Sequence, residues 1–188
     1  MAGASASARR PLLAFGLLAF VLLPDLLWGA VHGSTAGAEF ALVDWPAHLA
    51  TTLVLLLALV AAIGAPPPAG FVLGALIASV AIDIDHLPEY LGWDALMEGV
   101  ARPYPHSFLT VACLALIAAL ASPRARPVAL GAAFGVLAHL FRDLGTGPGV
   151  ALLWPASDTT AQYPYVVFAV GLALAAAVAF AHPFRPNR

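Results

Sequence analysis

The fold is decided by the stretch VALGAAFGVLAHLFRDL, residues 128–144. Its first ten residues are uncharged, and the segment approaches the roughly 20 apolar residues that an α-helix needs to cross a membrane. His139, Arg142 and Asp143 stand near its end. Ionisable side chains are costly inside an apolar span and by default mark a function. We therefore predict a membrane helix that carries part of a functional site at one end.

Five further apolar segments accompany this one, so we predict an all-α membrane bundle of about six transmembrane helices in a single domain covering residues 1–188. The composition, 62% hydrophobic and 10% charged with no lysine, excludes an ordinary soluble domain, of which about half is apolar. The predicted helices are 12–31, 47–63, 70–87, 107–121, 128–144 and 164–182. Pro88 is predicted to end the third, and the proline-rich links 65–68 and 122–127 are typical of tight turns.

The first segment also has the outline of a secretory signal, because two arginines precede it and the small residues Ala36-Gly37-Ala38 follow it. Its apolar stretch of about 20 residues is longer than a usual signal core, and it contains Pro24 and Asp25. We expect it to be retained as a membrane helix. Cys113 is the single cysteine, which excludes an intrachain disulfide and a cysteine-based metal cluster.

Arginine sets the expected orientation, because positively charged loops stay in the cytoplasm. If the helices alternate, Arg102 and Arg142 lie on one side and the other arginines on the opposite side. Both termini are then cytoplasmic, and the outer side carries every acidic residue and all four tryptophans, which are expected to line a site there. The outer residues expected in solvated loops are Glu39, Asp44, Asp94, Glu98, Asp158 and His32.

Six histidines and aspartates lie within one or two turns of the outer ends of four predicted helices, and together they predict a metal site. They are His48, Asp83, Asp85, His106, His139 and Asp143. His139 and Asp143 are four residues apart, so they share a helix face and can reach a common ion. Imidazole with carboxylate suits zinc, and also manganese or iron. Six ligands exceed the four that one zinc ion needs, so the pattern allows one ion or two.

Asp83 and Asp85 point about 200° apart on a regular helix and cannot both meet one ion unless the helix frays. One would bind the metal, while the other would orient a ligand histidine or act as a general base. We place Asp85 among the ligands and also assign it the role of base. His86 and Ser107 are expected to support the ligands. The alternative is that Asp85 and His86 are interfacial side chains that face the lipid headgroups.

Four successive motifs resemble those of the YdjM-like membrane-bound metal-dependent hydrolases. Residues 83–86 (DIDH) resemble PDxDH, 102–107 (RPYPHS) resemble HRGxTHS, 139–143 resemble HxxxD, and 149–155 (GVALLWP) resemble G-V-x-L-L-x-P. His48 matches an early histidine of that family, whereas Ala101 replaces the first histidine of HRGxTHS. The resemblance implies a hydrolase. Its distant likeness to zinc-dependent phospholipase C and P1-type nucleases implies phosphoester substrates.

We expect metal-assisted hydrolysis of a phosphoester or lipid-like substrate at the outer membrane surface, with the lipid bilayer and no nucleic acid as partner. Arg102 and Arg142 are expected to bind the substrate, because guanidinium suits phosphate. Arg142 could equally pair with Asp143 or Asp158. Residues 89–99 would form a short interfacial helix that guides a lipid, or a plain loop. The oligomeric state stays open.

Two alternatives of other classes remain at this point. A membrane metal carrier would bind the ion without chemistry, although carriers place their ligands near the midplane between repeated halves, and this sequence shows no repeat. A metal-independent lipid phosphatase would share Arg102-Pro103 and the pair His139 and Asp143. That class also carries a lysine and a Ser-Arg pair, and this chain has no lysine and Ala132-Ala133 at the corresponding place.

Overall fold

Seven α-helices and one 3₁₀ turn form the described part of this computed structural model, which covers residues 3–32, 38–91, 93, 102 and 104–181. Side chains are described for the same residues except 3–11, 28–32, 38–43, 89 and 90. The helices are α1 Gly3–His32, α2 Ala38–Ile63, α3 Ala69–Ala81, α4 Leu87–Tyr90, α5 Phe108–Leu120, α6 Arg126–Thr146 and α7 Tyr165–Ala181, and the 3₁₀ turn is Ile82–His86. The all-helical fold is confirmed: within these ranges the only β-pairing is an isolated bridge between Val150 and Ala161.

Three helical segments are long and apolar enough to cross a membrane: Asp44–Ile63, Ala69–His86 and Arg126–Thr146. Three shorter apolar helical segments, Leu12–Leu27, Phe108–Leu120 and Tyr165–Ala181, coincide with the other predicted spans. Large apolar side chains such as Leu120, Ile77 and Leu174 are exposed on the outside of the bundle. Helices that are apolar all round are typical of a lipid environment.

The end of the third predicted helix differs from the prediction. Helix α3 ends at Ala81, the chain tightens into the 3₁₀ turn, and α4 then continues through Pro88. Proline is tolerated there because the first-turn N–H groups of a helix have no intrahelical partner. With three residues per turn, Asp83 and Asp85 are roughly 120° apart about the turn axis. The turn therefore presents the two carboxylates in different directions.

Helix α6 is the centre of the bundle and contacts α2, α3, α5 and α7. Gly131 and Gly135 face α3, and a Cβ added at either position would overlap the backbone of Phe71 or Ala75. Small residues four apart let two membrane helices approach this closely. The contact fixes the end of α6 beside the 3₁₀ turn that follows α3.

Helices α1, α2 and α7 pack together on the other side of the bundle. Their shared core is apolar and fully buried, with Val21 from α1, Val54 from α2 and Phe168 and Leu172 from α7. Helix α2 also contacts α6. It therefore joins this group to α6 and α3.

Candidate metal centre

Four parts of the chain bring the predicted ligands together. Helix α2 supplies His48, the 3₁₀ turn supplies Asp83 and Asp85, the segment before α5 supplies His106, and α6 supplies His139 and Asp143. All but Asp85 are buried, and His48, His106, His139 and Asp143 are at most 1% exposed. Residues separated by up to about a hundred positions in sequence thus form one buried cluster, which we call the metal centre.

Four potential ligand atoms of the metal centre lie close together, and we call them the inner atoms. They are Nε2 of His106, Nε2 of His139, Oδ1 of Asp83 and Oδ2 of Asp143. Each of the two nitrogens lies 3.0–3.6 Å from the other nitrogen and from both oxygens. Two ligands of one zinc ion, with bonds of about 2.0–2.2 Å, are about 3.3–3.6 Å apart. The measured spacings are therefore compatible with ligands that share an ion.

The outer ring nitrogens of the two histidines show where their protons lie. Nδ1 of His139 is 2.8 Å from the carbonyl oxygen of Ser79, and because a carbonyl only accepts, this nitrogen donates. Nδ1 of His106 is 3.1 Å from Oδ2 of Asp85 and donates to it for the same reason. In neutral rings both Nε2 atoms then carry lone pairs, which face each other and two carboxylate oxygens. Buried acceptors in this arrangement repel unless protons or a cation lie between them.

The charges around these atoms lead to the same conclusion. Burial opposes protonation of His106, yet hydrogen bonds to Asp83 and Asp85 and the charge of Asp143 outweigh it and raise the pKa of this imidazole. With neutral histidines, these three carboxylates and the nearby guanidinium of Arg102 sum to −3 + 1 = −2. A divalent cation would neutralise that charge.

Asp85 lies on the other side of His106 from the remaining inner atoms. Its Oδ2 contacts Nδ1 of His106, the ring nitrogen that points away from them. This contact favours the orienting role over those of ligand and base, which stay predictions. A carboxylate on the far nitrogen fixes the tautomer and orientation of a ligand histidine. The ring of His86 also packs against that of His106, with centroids 5.3 Å apart.

His48 joins the metal centre on the opposite side. Its ring stacks on that of His139 with centroids 3.7 Å apart, and its Nε2 lies 3.4 Å from Oδ1 of Asp143. Ligand atoms of these three residues lie within 4.8 Å of one another, as do those of Asp83, His86 and His106. The two groups supply donors for one ion or for two.

Arg102 lies at the edge of the metal centre, and its predicted role in substrate binding stays a prediction. Its Nη1 is 3.1 Å from Oδ2 of Asp143. Gly147 leaves the space that the guanidinium occupies, because an added Cβ would overlap Nη2 of Arg102. Nε of Arg102 and Oγ of Ser107 are buried and have no hydrogen-bond partner within the described ranges. These donors are suited to an anionic group.

Arg142 lies elsewhere, and its assignment to substrate binding is corrected. The side chain is fully buried and bonds Asp25 of α1 at 2.6 and 2.8 Å and Asp44 of α2 at 3.0 and 3.2 Å. A substrate cannot reach it without breaking these bonds. Its partners are these two acids, whereas the sequence suggested Asp143 or Asp158. Tyr165 of α7 donates to Oδ2 of Asp25 at 3.2 Å, and we call these four residues the arginine cluster.

Asp44 is the residue that the sequence prediction misplaced. It is expected in a solvated loop, but it is buried in α2 and contacts both His48, at 3.3 Å, and Arg142. Its i,i+4 spacing to His48 mirrors that of His139 and Asp143, and this signal could have identified it. Asp44 therefore connects the metal centre to the arginine cluster.

The other outer-side predictions divide into those the structure describes and those it does not. Asp158 is exposed, as expected. Trp45 and Trp93 are 45% and 62% exposed and do not line the metal centre, which corrects that expectation. Trp154 stacks on Tyr104, with ring centroids 4.6 Å apart. The rest lie outside the described side chains: Trp28, His32, Glu39, Asp94 and Glu98, with most of the segment 89–99.

Comparison with known proteins identifies the family. The family model for the YdjM inner membrane protein matches residues 43–187, a stretch that contains all six predicted ligands together with Asp44 and both outer arginines. No curated protein and no solved structure matches the chain. Because the family model covers well over half of the sequence, the chain belongs to the YdjM inner membrane protein family.

Proposed function

We propose that this protein is a membrane-embedded metal-dependent hydrolase that acts on a phosphoester or another lipid-like substrate. The observation that carries the proposal is the cluster of four buried acceptor atoms from His106, His139, Asp83 and Asp143, in which each nitrogen lies 3.0–3.6 Å from the other nitrogen and from both oxygens. Its ligand types and spacing suit zinc first, and manganese or iron second.

The roles of the residues follow from their positions. A bound ion would lower the pKa of its water from about 15.7 towards 7 and so supply hydroxide at neutral pH. Oδ2 of Asp83 is buried without a partner in the described part of the chain, and it would accept the proton of that water. Arg102 would bind the phosphate oxygens, since guanidinium makes paired hydrogen bonds to phosphate. Asp85 would hold His106 in place.

The expected orientation supports a site that faces away from the cytoplasm. Arg124 and Arg126 lie in the link before α6, at the end of that helix opposite His139 and Asp143. Positively charged links stay in the cytoplasm. We therefore place the metal centre at the extracytoplasmic ends of the helices.

A metal-binding protein without hydrolytic activity, such as a carrier, is the second candidate. The observation that favours it is that four buried protein atoms are available to one ion. Four protein ligands are typical of structural sites, whereas catalytic zinc keeps a position for water. The hydrolase requires a fifth ligand position, or one carboxylate that moves aside. Arg102, which contacts Asp143 at 3.1 Å, would favour such a movement.

Metal analysis with an activity assay separates the two candidates. The purified protein should carry a stoichiometric transition metal and should hydrolyse methyl p-nitrophenyl phosphate, with activity lost in chelator and restored by zinc. Bound metal without chelator-sensitive hydrolysis would favour the carrier. Protein without stoichiometric metal would contradict both candidates.

A further inference from the structure

An apolar groove of about 430 Å³ lies beside the metal centre, and it has no role in the chemistry described so far. Helices α3 and α5 both pack on α6, and the groove lies between them. One wall consists of Ala78 and Ala81 from α3 and Ile84 from the 3₁₀ turn. The other includes Pro105, which precedes α5, and Thr110, in its first turn. The Thr110 hydroxyl donates to the carbonyl oxygen of Pro105 at 2.7 Å. The lining therefore offers little for a polar ligand along most of its length.

One charged side chain lines this groove, and it belongs to the metal centre. Asp85 contributes to the lining, and its Oδ2 accepts from Nδ1 of His106, whose other nitrogen is one of the inner atoms. The carboxylate of Asp85 and one imidazole ring thus separate the groove from the remaining inner atoms. A molecule that fills the groove would have one end next to the metal centre.

We propose that this groove binds the alkyl chain of the substrate while its phosphoester lies at the metal centre. The inference rests on the proposed function and adds the substrate class, an amphiphile with a single chain in the groove. The outer surface of α3 supports it, since Ile77 and Ile84 are 55% and 65% exposed on an apolar helix that is long enough to span the membrane together with its 3₁₀ turn. A chain can therefore enter from the lipid without crossing water.

The bundle contains a second apolar groove that provides a matched control. It measures about 350 Å³ and lies between α2 and α6, where Leu55, Ala58, Leu59, Phe134 and Leu137 line it. All of its lining residues are apolar and none belongs to the metal centre. Annular lipid could occupy either groove, but only the first would affect a reaction at the metal centre.

The test uses water-soluble alkyl p-nitrophenyl phosphates with chains from methyl to hexyl. In the reaction, water forms a bond to phosphorus, the bond to the aryl oxygen breaks, and alkyl phosphate, p-nitrophenolate and a proton are released. We expect kcat/KM to rise with chain length by up to about fourfold for each methylene that enters the groove, the factor expected for burial of one CH₂. Equal values across the series would overturn the proposal.

Two substitutions locate the effect. Ala78→Trp fills the groove and should bring the hexyl-to-methyl ratio close to one, and Ala78→Leu should lower it partly, which covers the case in which the tryptophan variant does not fold. Ala58→Trp in the second groove should leave the ratio unchanged. If Ala58→Trp lowers the ratio as much as Ala78→Trp does, the chain does not lie in the groove between α3 and α5.

A second readout separates this inference from the proposed function. Vesicles of phosphatidylcholine with a phosphatidic acid that carries a diazirine on one acyl chain are irradiated, and labelled residues are mapped. Labelling at 78–85 and 105–110 that Ala78→Trp abolishes and Ala58→Trp leaves in place would support the groove even if no hydrolysis occurs. Labelling that Ala78→Trp does not reduce would overturn it, whatever the hydrolytic activity.

Discussion

The metal centre and the arginine cluster are both buried groups of charged side chains, but their hydrogen bonding differs. In the arginine cluster, Arg142 donates four hydrogen bonds to carboxylate oxygens of Asp25 and Asp44. Each carboxylate there has a donor. In the metal centre, each of two imidazole nitrogens lies within 3.6 Å of the other nitrogen and of two carboxylate oxygens, and the N–H donors of the two rings point outward.

This difference separates a structural ion pair from a binding site. A buried guanidinium with two carboxylates satisfies its own hydrogen bonds and needs nothing further. A buried set of lone pairs is satisfied only when protons or a cation lie between its members. Arg142 and Asp143 are adjacent in sequence and both fully buried. Neither position in the sequence nor burial therefore distinguishes the two clusters. The distinction lies in whether donors meet acceptors.

The largest expected effect is loss of metal from the double variant His139→Ala, Asp143→Ala. It removes two of the four inner atoms. We expect less than about a tenth of the wild-type metal to remain, since loss even of a partner that supports a ligand lowers metal affinity 10–100-fold. Metal content is measured by plasma mass spectrometry after removal of excess ion. Asp158→Asn, which changes an exposed carboxylate, should keep the full content, and a double variant that does so as well would contradict the site.

The substitution Arg142→Met tests the other cluster. It leaves Asp25 and Asp44 buried without their cation, and breaking a buried pair typically lowers the free energy of unfolding by about 3–5 kcal/mol. Denaturant unfolding in detergent measures the change. Adding Asp25→Asn and Asp44→Asn should recover part of the loss. If Arg142→Met instead loses its metal without loss of stability, the distinction between the clusters is wrong.

A smaller effect is expected from Asp85→Asn. Because Asp85 contacts His106 on the nitrogen away from the ion, we expect metal affinity to fall about 10–100-fold. Asp83→Asn should lower the metal affinity further, since Asp83 contributes one of the four inner atoms. Competition with a chromogenic chelator gives both affinities. If Asp85→Asn binds metal more weakly than Asp83→Asn does, the assigned roles of the two aspartates are reversed.

The smallest effect is expected from Tyr165→Phe. This change removes one hydrogen bond to Asp25, and it should lower the free energy of unfolding by about 1 kcal/mol. The metal content should not change, because the hydrogen bond of Tyr165 is to Asp25 in the arginine cluster and not to a residue of the metal centre. Equal metal content with reduced thermal stability is the expected result, and a loss of metal would show that the clusters are coupled more tightly than their contacts indicate.

The sequence predicted the helices and most of the side chains that meet in the metal centre, because both depend on local signals. Apolar runs bounded by proline identify membrane helices, and an i,i+4 pair such as His139 and Asp143 needs only helical geometry. The family resemblance carried by those motifs is confirmed. Hydrolysis, the identity of the metal and the orientation in the membrane stay predictions.

What the sequence could not supply depends on contacts between helices. The partners of Arg142 come from α1 and α2, more than ninety positions away, so its role could not be read from neighbouring residues. Asp85 was ambiguous because a regular helix and a 3₁₀ turn place it differently relative to Asp83. Asp44 precedes the predicted start of the second helix at residue 47, yet α2 begins at Ala38 and runs through Pro46.

The contacts of Arg142 and Asp143 in the two clusters fix the rotation of helix α6 about its axis. Successive residues on an α-helix point about 100° apart, so Arg142 is directed at α1 and α2 while Asp143 is directed at His106 and His48. Turning or sliding α6 would break both sets of contacts at once, and the glycine contact with α3 resists the same movement. Any opening of the metal centre must therefore come from the parts around α6, such as the segment before α5 that carries His106.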